Sequence, residues 1–159
     1  MIWRDLEASA PEIALLGEER LSRTHIALLG TLRKDGSPRI SPVEPYLSQG
    51  HLLFGAMSRS QKTADLRRDP RCVFHSALTG PDYGEGELKV YGRAVQVSDQ
   101  IREGCPDGWW AKWRRDVAVV FSLDIEQANF VSWDLAAGMM TIRRWSQGSG
   151  FTKTTHGYP

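Results

Sequence analysis

Cysteine is scarce in this chain, and long apolar runs are missing. Two cysteines occur in 159 residues, Cys72 and Cys105. Two are too few for a disulfide framework, and they form no CxxC pair. Both read as free thiols of a reducing compartment. No apolar stretch approaches the roughly 20 residues that span a bilayer. The first residues, Met1-Ile2-Trp3-Arg4-Asp5-Leu6-Glu7, carry acidic charge and no apolar core, so they do not read as a signal peptide. An excess of one charge is also lacking, since the net charge is +1. That balance argues against nucleic acid or a membrane as partner. The expectation is a cytoplasmic protein. Phosphate-loop and dinucleotide fingerprints are absent, and His25, His51, His75 and His156 show no metal spacing.

What is present suits one domain over residues 1–159. Hydrophobic residues make up 41% and charged residues 25%, a globular mix. A chain of this length buries a core without disulfide or metal staples. Residues 1–22 form an N-terminal helical region. There Ser9-Ala10-Pro11-Glu12 reads as a capping box that opens a helix over about 10–22.

Strands follow. His25 to Leu32 alternates, and Lys34-Asp35-Gly36 supplies a hairpin turn. Ser37 to Leu47 is the return strand, marked by Pro42 and Pro45 as an edge or a bulge. His51 to Met57 is the next strand. Ser60 caps a short helix, Gln61 to Arg68, which Asp69-Pro70 stops. Arg71 to Leu78 and Leu88 to Val97 are strands on either side of a polar loop, Gly80 to Gly86. Gly92 marks a bend or a close backbone approach. Asp99 to Asp116 is irregular or helical and holds Trp109, Trp110 and Trp113. Val117, Val119, Phe121, Leu123 and Ile125 alternate without a fault. Phe130 to Trp133 and Met139 to Trp145 read as a last hairpin, and the tail, residues 146–159, as a loop. The sum is a mainly β (α+β) chain: six or seven antiparallel strands in a barrel with short peripheral helices.

Two stretches carry candidate chemistry. Arg39, Ser41 and Val43 share one strand face by period two, so a cation and a hydroxyl project together. An exposed edge strand with a solvated arginine has the same spacing. Ser58-Arg59-Ser60-Gln61-Lys62 joins a strand to the first turn of a helix. Free N–H groups, the helix dipole, a hydroxyl and an ammonium there suit an anion. An ordinary N-cap beside a surface lysine also fits. Cys72 and His75 are three apart on a strand and face opposite ways, so they make no nucleophile–base pair.

Taken together, the stretches resemble the FMN-binding split barrels of the pyridoxamine 5'-phosphate oxidase type. The likeness covers about residues 13–145. It includes the hairpin from Leu28 to Pro42, Leu53-Phe54-Gly55 before Ser60-Gln61-Lys62, Leu66 to Arg71, and Val90-Tyr91-Gly92-Arg93-Ala94. The resemblance implies a split β-barrel that binds FMN as a homodimer, with the cofactor near the interface. It implies that Arg39 meets the flavin phosphate and that Ile40, Ser41, Pro42 and Val43 line the ring. Gly55 and Ala56 run beside the ring, and Ser60, Gln61 and Lys62 form the phosphate turn. Trp133 and Arg143 have the spacing of two late flavin contacts. Glu87 stands where the family has a glutamine near the flavin. The implied activity is oxidation or reduction of a small organic substrate. The deazaflavin coenzyme F-420 as hydride donor, and a non-catalytic flavin- or haem-binding protein, are the alternatives. The family's vitamin-B6 pocket finds no match between Asp99 and Asp116. The tryptophans there wall a site, pack a core or make a dimer contact. No acid–base residue is assigned.

Overall fold

The computed structural model describes residues 1–78 and 86–157. Helices α1 (Trp3–Ser9) and α2 (Pro11–Thr24) come first. The strands are β1 (Ala27–Leu32), β2 (Pro38–Val43), β3 (Pro45–Ser48) and β4 (His51–Met57). Helix α3 (Gln61–Arg68) leads to β5 (Arg71–Ser76) and β6 (Glu87–Gln96). Helix α4 (Asp99–Glu103) and a 3-10 turn (Trp109–Lys112) precede β7 (Ala118–Asp134), β8 (Met139–Ser146) and β9 (Gly150–Gly157). Every pairing between strands is antiparallel. The chain is a split β-barrel with short peripheral helices, as its alternation leads one to expect.

Strand order is β2-β1-β5-β6-β7-β4-β3, and β8 and β9 extend from the far half of β7. One residue, Glu44, separates β2 from β3, which occupy opposite ends of that order. The sheet therefore has to curl until its ends meet. Pro42 and Pro45 offer no N–H, and both sit on end strands where none is needed for a ladder.

Two apolar clusters result. The barrel interior takes Leu29, Phe54, Phe74, Val90, Phe121, Leu123 and Ile125, with Leu6, Ile13 and Leu21 from the first two helices. Phe54 stacks on Phe121 at 5.5 Å between ring centroids. A smaller cluster lies on the outer face of β4 and β7 and holds Leu53, Ala118, Val120, Cys105 and Trp110. Both faces of β7 are thus buried over its first half.

Several expectations change. The helix expected over about 10–22 is α2, but a separate helix, α1, precedes it, and Ala10, not Ser9, stands at the N-cap of α2. Ser9 lies inside α1 and donates to the Asp5 carbonyl, while Glu12 reaches across to Arg143 and Lys153. Ser37 to Leu47 is broken at Glu44 by the curl. The strands expected over Val117 to Ile125 and Phe130 to Trp133 merge into one, β7, because β6 pairs across the join between them, from Phe121 to Val131. The tail is not a loop: β9 pairs with β8 from Gly150 to Gly157. Nine strands, rather than six or seven, are present among the described residues. The polar loop expected from Gly80 to Gly86 lies outside the described residues except at Gly86. No helix among the described residues is long and apolar enough to cross a membrane.

Gly92 is where β6 shifts register against β7. A Cβ there would lie 2.0 Å from the Asp124 carbonyl oxygen. Gly92→Ala should therefore lower the urea midpoint, at a cost of about 1–3 kcal/mol. An unchanged midpoint would show that the bulge relaxes freely.

Candidate functional site

The seam of the barrel, where β2 faces β4, carries the candidate site. β4 alternates between the two clusters: Leu52, Phe54 and Ala56 point into the barrel, and Leu53 points out. Gly55 also faces out, and Trp109 and Trp110 press on it. A Cβ on Gly55 would come within 2.5 Å of Trp110 and 2.9 Å of Trp109. A cavity of about 350 Å³ opens beside them. Gly55, Ala56 and Met57 line it from β4, and Pro42, Val43 and Glu44 from the end of β2. Ile26, Trp109, Ser60 and Lys62 complete the wall.

Ser60 caps α3 by accepting the Thr63 N–H at 3.3 Å. That places Lys62 in the first turn, and its ammonium donates to the Pro42 carbonyl across the seam at 2.9 Å. The partner is neutral. Burial pushes the Lys62 pKa below its ordinary value of 10.5. Among the described residues it has no carboxylate partner.

On the other side of the start of α3 lies a second cavity, of about 620 Å³. Arg33, Lys34, Arg39 and Arg68 face Asp35 and Asp65 there, and Gln61 and Ala64 fill the helix side. Four cations against two carboxylates leave it positive. Arg39 is not a freely solvated edge arginine. Its Nε donates to Asp65 at 2.6 Å, and the Asp65 side chain is only 4% exposed. Asp65 also accepts from Thr31 and Arg68, each at 3.2 Å. Burial by itself would raise the Asp65 pKa, but the hydrogen bonds from Arg39, Arg68 and Thr31 outweigh it and hold it below 3.8.

Pro42, Val43, Gly55, Ala56, Ser60 and Lys62 thus line the first cavity, and Arg39 and Gln61 the second. Arg39, Ser41 and Val43 share a face, opposite Thr31, Leu29 and Ala27 on β1. Ile40 points to the other face and is 71% exposed. Trp133 and Arg143 line neither cavity, and Arg143 is engaged by Glu12 at 2.6 Å and Ser132 at 2.9 Å. Glu87 pairs with Lys89 and lies 3.3 Å from His75. The sequence reading missed Asp65, Arg68, Glu44, Met57 and Ile26. Asp65 had a signal, being four residues after Gln61 on the same helix face. Cys72 is buried, which pushes its thiol up to about 12, so it is no nucleophile at neutral pH.

These features define an antiparallel split barrel whose seam holds an apolar cavity flanked by cations. The sequence model of the pyridoxamine 5'-phosphate oxidase family matches residues 17–131, and the chain belongs to that family. No curated sequence matches it significantly. Among solved structures, PhzG from Burkholderia lata, in complex with tetrahydrophenazine-1-carboxylic acid, superposes with a TM-score of 0.68 at 12% identity. That match covers 98% of this chain and 93% of that one. A pyridoxamine 5'-phosphate oxidase-related, FMN-binding protein of Nostoc punctiforme gives 0.61 at 12% identity, over 93% and 96% of the chains. A haem-binding protein of Mycobacterium smegmatis gives 0.60 at 15% identity, over 90% and 88%. At such identities the likeness speaks for the fold.

The Asp65 cluster has a pH signature. A carboxyl whose folded pKa is depressed adds stability that is fully present above its unfolded value, about 3.9. That stability is lost as pH falls through the lower folded value. Urea midpoints followed from neutral pH into acid should fall more for wild type than for Asp65→Asn. Parallel curves would show that Asp65 gains nothing from its arginines.

Proposed function

We propose that this protein binds FMN in the seam and works as a flavin-dependent oxidoreductase on a small organic substrate. The observation that carries this reading is Lys62: a partly buried ammonium with no carboxylate partner among the described residues, at a helix start beside an apolar cavity. A phosphate monoester carries close to two negative charges at neutral pH. Lys62, Arg39, the Ser60 hydroxyl and the Gln61 side are the donors that suit it. A cavity of about 350 Å³ falls within the roughly 300–1,000 Å³ of small-molecule sites. Pro42, Val43, Gly55 and Ala56 give it apolar walls that suit an isoalloxazine. When bound, the flavin supplies the hydride chemistry. The chain's own work is to hold the phosphate, exclude water from the ring with Val43 and Ala56, and set the local charge through Lys62 and Glu44.

The purified protein should be yellow with two near-visible absorbance bands. A sharp violet band would favour haem instead. A colourless protein would mean that no flavin or haem is retained, as with a dissociable coenzyme F-420 or no cofactor. Among the described residues lining the cavity there is no histidine or cysteine to hold haem iron. The quantitative test is a titration of FMN and riboflavin. Charge-assisted hydrogen bonds are worth about 1.5–3 kcal/mol each, so Arg39→Ala or Lys62→Ala should weaken FMN roughly ten- to a hundredfold. Riboflavin lacks the phosphate, so its affinity should hardly move. Equal weakening of both ligands would mean that these residues serve the ring or the fold; unchanged FMN affinity would remove the site.

The working unit in this proposal is a homodimer. Ile40, Gly30, Val73 and Tyr91 lie in register across β2, β1, β5 and β6 on the outer face. Ile40 is 71% exposed, Ile26 43% and Leu28 41%, a contiguous apolar surface that a second copy would cover. Mass measurement at micromolar concentration should find two copies, and Ile40→Asp should give one. A wild-type monomer with cofactor saturating would refute the dimer.

A further inference from the structure

The three tryptophans of the α4–β7 connection have three different environments. Trp110 is fully buried in the outer cluster, edge-on to Tyr46 at 4.8 Å between centroids. Trp113 is 51% exposed. Trp109 stands between these cases: it packs on the outer cluster and also lines the 350 Å³ cavity.

Its indole is held from two sides. Trp110 meets it edge-on at 6.2 Å and 69°. Gly55 lets it lie against the backbone of β4, where any Cβ would collide with it. The segment itself is anchored by Arg102. This buried guanidinium donates to the carbonyls of Ala118 at 2.5 Å, Trp110 at 3.0 Å and Trp113 at 2.9 Å. Arg115 ties the same segment to Asp99 and Glu103. A large aromatic face is thereby fixed at a cavity wall before any ligand arrives, which lowers the entropy lost on binding. Pro42 and Val43 add apolar surface to the same cavity.

We infer that Trp109 is a ligand-contacting residue of this site, stacking its indole on the flat conjugated ring system that enters the cavity. The inference rests on the flavin reading and adds a contact from a segment the family's phosphate and ring motifs do not include. It also accounts for Gly55, because only glycine leaves room for the tryptophan pair.

The experiment titrates FMN and riboflavin against wild type, Trp109→Ala, Trp109→Phe and Trp113→Ala, and reads the fluorescence of the bound flavin. A stacked indole quenches flavin emission by electron transfer, so the bound flavin should be dark in wild type and in Trp113→Ala. It should brighten severalfold in both Trp109 variants. Trp109→Ala should weaken both flavins alike, by roughly tenfold. Trp109→Phe keeps a ring against Gly55, guards against a variant that does not fold, and should retain most of the affinity while losing the quenching. Unchanged emission and affinity in both Trp109 variants would overturn the stacking, as would weakening of FMN alone. A wild type that binds neither flavin would overturn the cofactor reading, and the stacking with it.

Discussion

The structure depends on a link one residue long. β2 and β3 stand at opposite ends of the strand order, yet only Glu44 separates them. A single residue spans at most about 3.6 Å. The two ends of the sheet must therefore come together, although no ladder joins β2 to β4. The barrel is closed covalently and open in its hydrogen bonding. That open seam is the cavity, and its lining follows from which residues happen to flank it: the last residues of β2, the last of β4, and the start of α3 that leaves β4.

An unladdered seam leaves backbone carbonyls without strand partners, and the structure answers with side chains. Lys62 takes the Pro42 carbonyl from across the gap. At the end of β1, Arg68 likewise takes the Leu32 carbonyl, and Arg39 and Arg68 gather on Asp65 beneath the helix. The groups that tie α3 to the sheet are thus also the cations of the site. In the proposed reading, stability and anion binding share the same residues, and the Arg39–Asp65 pair positions the cavity next to it. Removing that buried carboxylate would leave the guanidinium groups of Arg39 and Arg68 without their shared counter-charge.

The outer face of β4 and β7 shows the same coupling of packing to site. A strand with one face in the barrel would ordinarily give the other to water. Here the α4–β7 connection folds over it, and Trp110 and Leu53 make a second small core. The cost is a glycine in a buried strand, at position 55. The gain is a rigid aromatic wall on the cavity.

Local signals determined a good part of this protein. Period-two alternation marked β1 and the first half of β7, Ser60 with Asp69-Pro70 bounded α3 to the residue, and Asp35-Gly36 set the first hairpin turn. These features depend on neighbours a few residues apart, so the sequence carries them openly. The same is true of the face shared by Arg39, Ser41 and Val43. Tertiary structure decided the rest. β9 is exposed along its whole length and has no apolar period; only β8 makes it a strand. Ser9 lost its capping role because α1 ran through it. Asp65 became the hub for Arg39 across 26 residues, and Trp109 reached Gly55 across 54. Such contacts arise when the sheet curls around its core, and a one-dimensional pattern does not record which distant side chains that curl brings together.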